Sequence, residues 1–140
     1  VVRFILAVVI FFHAIPETFS QEVVVNPSVP EIKLSRSALR AIFSMRLRTW
    51  SDGSVIRVFV LDNRSSLHAK FSKKILSIFP YQLQRTWDRL VYSGTGQAPT
   101  EVKSIEDMHD KIASTPGAIG YLTDKSIDSQ VRKVEVVQFQ

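Results

Sequence analysis

A carboxamide, a guanidinium and two hydroxyls stand together at Asn63-Arg64-Ser65-Ser66, directly after an apolar run and Asp62. Arginine presents a planar fork of donors that matches a carboxylate or phosphate, and serine adds hydroxyl donors. If a helix opens here, its first backbone N–H groups lack partners and the positive end of its dipole adds to them, which attracts anions. The chemistry on offer is therefore non-covalent recognition of a small oxyanion by Asn63, Arg64, Ser65 and Ser66. The same residues also make an ordinary cap, with Asn63 or Ser65 closing the first turn and Arg64 in water. The residues alone leave both open.

Little else suggests reaction chemistry. The histidines are His13, His68 and His109, none with a second histidine or a carboxylate at a recognised ligand spacing. Ordinary surface or helix-face roles are expected for His68 and His109. There is no cysteine and no Gly-x-Ser-x-Gly elbow, so thiol and serine nucleophiles and zinc-thiolate sites have no support. Asp107 and Asp110 share a turn of an expected helix and read as solvated charges. No enzyme activity, metal or cofactor is expected.

The elements that must hold the 63–66 cluster can be read from periodicity. Val55, Ile56, Val58, Phe59, Val60 and Leu61 form a nearly continuous apolar run, the pattern of a strand buried on both faces. Leu67, Phe71, Ile75 and Ile78 then recur at helical spacing. Upstream, Glu22 to Asn26 reads as a strand, Pro27 and Pro30 hold an extended connector, and Ser35 caps a helix over 36–45. Arg36, Arg40, Arg46 and Arg48 read as a solvated basic face with Trp50 as an apolar anchor, followed by an Asp52-Gly53 turn.

Downstream, Pro80 opens a second helix carrying Leu83, Trp87, Leu90 and Val91, as an antiparallel partner or a bent continuation of the first. Residues 93–99 read as a glycine-containing surface loop. Ser104-Ile105-Glu106-Asp107 resembles a capping box for a helix ending before Pro116-Gly117. Ala118 to Leu122 reads as a strand whose glycines leave room for another backbone or helix, and Val131 to Val137 as a half-exposed final strand. About four strands interleaved with helices predict an α/β fold, a small mixed sheet flanked by helices.

Length and composition agree with one domain. The chain has 140 residues, 45% hydrophobic, with a formal charge of +5 that favours anionic partners without choosing among them. Residues 1–20 carry Arg3, a short apolar core and small residues at the end, the pattern of a signal peptide; an uncleaved anchor or a buried strand are the alternatives. Cleavage after Ser20 would leave a domain over 21–140, still at +5 because Arg3 and Glu17 leave together. The expectation is an exported, periplasmic protein whose only membrane contact is the signal segment, with no nucleic-acid role.

Several segments in order resemble one family. Val23-Val24-Val25-Asn26, Leu34-Ser35 leading to Leu39-Arg40-Ala41-Ile42-Phe43, Trp50-Ser51-Asp52-Gly53-Ser54-Val55-Ile56, Phe71, and Ser114-Thr115-Pro116-Gly117-Ala118-Ile119-Gly120-Tyr121 are similar to the phosphate-binding substrate-binding proteins of bacterial ABC transporters. Those proteins close two α/β lobes on their ligand. The resemblance implies a single lobe of the type 2 periplasmic-binding-protein kind, binding inorganic phosphate or a related oxyanion. The family's Arg and Ser-Gly-Thr contacts fall, aligned on Phe71, at Leu61 and at Ser65-Ser66-Leu67, so only Ser65 is retained, with Arg64 as a substitute guanidinium. The alternative is an interaction module for an envelope protein that has lost its ligand, docking through the Arg36 to Trp50 face or a former interlobe surface.

Overall fold

The computed structural model describes residues 20–137. The chain runs β1 (Gln21–Val25), β2 (Lys33–Ser35), α1 (Arg36–Phe43), β3 (Arg57–Leu61), α2 (Ser66–Lys70) continued by a π-helical turn (Phe71–Leu76), and α3 (Pro80–Ser93). It then continues through β4 (Thr100–Val102), α4 (Ile105–Ser114), β5 (Ala118–Thr123), a 3-10 turn (Asp124–Ser126), β6 (Arg132–Lys133) and β7 (Glu135–Val137). Five strands form one mixed sheet in the order β4, β3, β5, β1, β6, while β2 and β7 pair in parallel beside it. The α/β architecture expected from the sequence is the one observed.

Strands β3, β4 and β5 are parallel, and β1 is antiparallel to β5. The carboxyl ends of the three parallel strands therefore lie along one edge, which positions the 62–66 turn there. Gly120 and Tyr121 are consecutive in β5 and face opposite sides of the sheet. On the Gly120 side sits α4: a Cβ at Gly120 would lie 2.6 Å from Met108 Sδ and 2.7 Å from Ile112 Cδ1. On the Tyr121 side, Phe71 stacks on the tyrosine ring at 4.0 Å and meets Phe43 of α1 at 4.8 Å.

Ser35, Ser65 and Ser104 cap α1, α2 and α4 by accepting the Ala38, His68 and Asp107 N–H groups. Asp107 completes its box on the Lys103 N–H rather than on Ser104. Asn26 donates to the Ile112 and Ala113 carbonyls at 2.8 and 3.1 Å, closing the end of α4 and explaining the asparagine after β1. Gly117, at φ +76°, lets the chain pass so close to β3 that a Cβ would stand 2.2 Å from the Val55 carbonyl oxygen. Trp50 is buried and donates to the Gly117 carbonyl at 3.0 Å.

Some expectations need correction. The wide π turn shifts the inward face by one residue, so Leu76 is fully buried where α-helical spacing placed Ile75. Ser77, at φ 55°, then separates α3 as its own helix. The final strand is broken in two at buried Val134. Arg40 does not face water but turns inward, its Nε donating to the Leu76 carbonyl at 2.5 Å. The signal segment lies outside the described residues. Among those described, no helix is long and apolar enough to cross a membrane.

Candidate functional site

The turn after β3 brings Asn63, Arg64, Ser65 and Ser66 together at the carboxyl edge of the sheet. The Ser65 N–H donates to the Asp62 carbonyl at 2.8 Å, and Ser65 Oγ accepts from the His68 N–H at 3.3 Å, so the serine is chiefly a cap. Asn63 Nδ2 donates to Gln84 Oε1 at 2.7 Å and ties the turn to α3. Ser66 is the exposed first residue of α2.

Arg64 has a partner the sequence reading did not assign. Asp62 Oδ1 accepts from the Arg64 N–H at 2.7 Å and from its Nε at 3.2 Å, while Asp62 Oδ2 accepts from Nη2 at 3.2 Å. The arginine side chain is 92% exposed, so it folds back on the carboxylate at the surface rather than inside a cavity. Its hydrogen bonds, side-chain then backbone, hold Asp62 down to about 2. The turn thus already grips an oxyanion, its own. An Asp two residues before an Arg was visible in the sequence, but its preference for that arginine over water depends on the turn's backbone path.

Beneath the turn lies a buried polar link. The Leu61 N–H donates to Tyr121 Oη at 2.8 Å, and Tyr121 Oη lies 2.6 Å from His68 Nδ1. Tyr121 Oη thus has two partners, the Leu61 N–H and His68 Nδ1, and the other ring nitrogen of the histidine is Nε2. That atom has no partner among the described residues. His68 takes the helix-face role, fully buried on the inward side of α2, and burial lowers its pKa. Burial likewise pushes the Tyr121 phenol up. The pair fixes the end of β3 to α2 and β5, so the turn rests on a rigid base.

His109 on α4 is the opposite case. Its Nε2 and Nδ1 lie 2.8 Å from Asp128 and 3.1 Å from Asp110, and these carboxylates raise its pKa. Asp110 is therefore a partner of His109, not only a solvated charge. No group of three or more metal-ligating side chains occurs among the described residues.

A sizeable cavity lies elsewhere. An open groove of about 830 Å³ lies at the amino end of β3, between Val55–Phe59 and the 94–100 loop, with Arg48, Arg57 and Lys111 on its walls. Among the described residues, no carboxylate lines it.

A model of the PBP superfamily domain matches residues 17–137. Among solved structures, an ABC-type phosphate transport receptor from Vibrio cholerae superposes with a TM-score of 0.66 at 17% identity, covering 84% of this chain and 46% of that one. A Clostridium perfringens protein described as a phosphate ABC transporter substrate-binding protein, solved with bound phosphate, gives 0.69 at 15% identity, with 84% and 45% coverage. PstS from Borrelia burgdorferi gives 0.65 at 15% identity, with 87% and 49% coverage. At such identities the likeness is one of fold, and the chain spans a little under half the length of these proteins. No curated protein matches the chain.

Proposed function

The chain belongs to the PBP superfamily, and from that premise we propose that it is a non-catalytic binding lobe whose ligand is phosphate or a related small oxyanion, taken weakly at the 62–66 turn. One observation carries this reading: the Arg64 fork and the Arg64 N–H already hold a carboxylate in the geometry by which an oxyanion is recognised. An external anion takes the place of Asp62, with the open N–H groups at the start of α2 and the Ser66 hydroxyl completing its shell. The turn stands at the carboxyl edge of the parallel strands, where open α/β sheets place ligands. Three features make the binding weak. Asp62 competes, the site is open to water, and Leu61 and Leu67 are buried apolar residues where the resembled family has polar contacts.

Calorimetric titration of phosphate at low salt tests it. The expected result is millimolar binding that Arg64→Ala abolishes and that Asp62→Asn strengthens several-fold, since the neutral amide holds Arg64 less firmly. An absence of heat in all three proteins refutes the reading. The protein is further proposed to be exported to the periplasm through residues 1–20, with 21–140 as its one domain. Docking to an envelope protein is the second reading. It is favoured by Val91 and Tyr92 on the outer side of α3, exposed at 51% and 89%. A pull-down that recovers one stoichiometric partner, together with silent calorimetry, would select it.

A further inference from the structure

The positive charge of the chain is concentrated around one corner of the fold. Between Asn63 and Trp87 there are five cations, Arg64, Lys70, Lys73, Lys74 and Arg85, and no Asp or Glu, as much net charge as the whole chain carries. Arg64 is neutralised by Asp62. Lys70, Lys73, Lys74 and Arg85 are exposed, and none has an ion pair among the described residues. They flank the reversal at Ser77 between the π turn and α3.

That same corner presents aromatic surface. Phe79 and Tyr81 are 53% and 59% exposed, and their rings stack on each other with centroids 5.8 Å apart. Lys73, Ser77, Ile78 and Phe79 line a shallow hollow of about 180 Å³. Tyr81 and Arg85 are four residues apart on α3 and share one face. Exposed aromatic rings at a chain reversal, with exposed cations on the segments either side, match the interface of an anionic bilayer. The rings lodge at headgroup depth while the cations meet lipid phosphates.

We propose that the Ser77–Tyr81 corner docks this protein peripherally on anionic phospholipid, with Lys70, Lys73, Lys74 and Arg85 as the electrostatic ring. The occupant is a lipid surface rather than an acidic protein because two exposed rings at a chain reversal, with exposed cations on the segments before and after it, offer cationic and apolar contact without a shaped pocket for a partner. A nucleic acid fits less well, since the two rings stack on each other instead of splaying to receive bases. This adds a membrane contact to the signal segment expected from the sequence, and it does not depend on the oxyanion reading.

Flotation of the full chain with vesicles of phosphatidylcholine alone, or with about a third phosphatidylglycerol, reads out the proposal. The preference for the anionic vesicle is the observable, and residues 1–20 are identical in every variant, so its loss in a corner variant reports the corner. The expected result is a preference of more than about tenfold at low salt that collapses at high salt. The double variants Lys73→Glu/Lys74→Glu and Phe79→Ala/Tyr81→Ala each lose most of it while melting as wild type. The double variant Lys103→Glu/Lys111→Glu, the same charge change elsewhere, keeps it. No anionic preference, a preference untouched by both double variants, or retention only on an acidic polypeptide overturns the proposal.

Discussion

The two ends of β3 divide between them what a binding site needs. At the carboxyl end, the turn has a guanidinium, a cap and open N–H groups on a rigid His68–Tyr121 base, yet its arginine lies 92% exposed at the surface and is matched by Asp62. At the amino end, a groove of about 830 Å³ is walled by Arg48, Arg57 and Lys111, with no carboxylate among the described residues. Its cations, however, project from separate elements. Neither Arg57 nor Lys111 is held in place by an ion pair among the described residues. Volume and cationic charge alone would choose the groove; donor geometry chooses the turn. Recognition of an oxyanion depends on donors already fixed in direction, since flexible cations on an open wall remain solvated and must be ordered on binding.

Breaking either end separately sharpens this contrast. The largest effect is expected at the amino end: Gly117→Ala forces a Cβ against the Val55 carbonyl at a positive φ and destabilises the fold by about 3 kcal/mol or more, read by chemical denaturation. At the carboxyl end, Tyr121→Phe removes the hydroxyl shared by the Leu61 N–H and His68, and about 2 kcal/mol is expected from the buried groups left unpaired. A Tyr121→Phe protein as stable as wild type would mean the turn does not rest on that link.

Smaller effects separate the two histidines by pH. His68 has a lowered pKa in the fold, so below its ordinary value near 6.5 the unfolded state takes up the proton first. Stability then falls with acidification, and His68→Gln flattens that slope. His109 has a raised pKa, so its contribution is full below about 6.5 and fades as pH rises through the folded value. His109→Ala removes a loss on the alkaline side. Melting midpoints from pH 5 to 8 for both variants check the signs, and matching slopes would contradict them.

Much of this fold was legible because local signals were strong and consistent. The runs read as strands at 22–26, 55–61 and 118–122 became the three central strands at Gln21–Val25, Arg57–Leu61 and Ala118–Thr123, and Ser35, Pro80 and Ser104 marked helix starts where the helices begin. Gly120 was readable as a close approach and is one, whereas Gly117, read as a helix stop, also proved to be one. β2 and β4 were not legible, since three residues are too few for a periodicity and their pairing is set by distant strands. The π turn was hidden because α-helical spacing assumes its own period. For the site, the four residues 63–66 were legible as a cluster. Asp62 as their internal anion and His68 as a buried link were not, because each depends on a partner chosen by the backbone path rather than by residue type. The groove left no sequence signal beyond its surface loop.

The most direct test of the central claim compares the two ends in one experiment. Phosphate is titrated into labelled protein while backbone amide resonances are followed. The account predicts saturable, millimolar shifts at Arg64, Ser65, Ser66, Leu67 and His68 that vanish in Arg64→Ala, with Arg57, Gly94, Gly96 and Thr100 unmoved. Saturable shifts confined to the groove, or none at the turn, would contradict it.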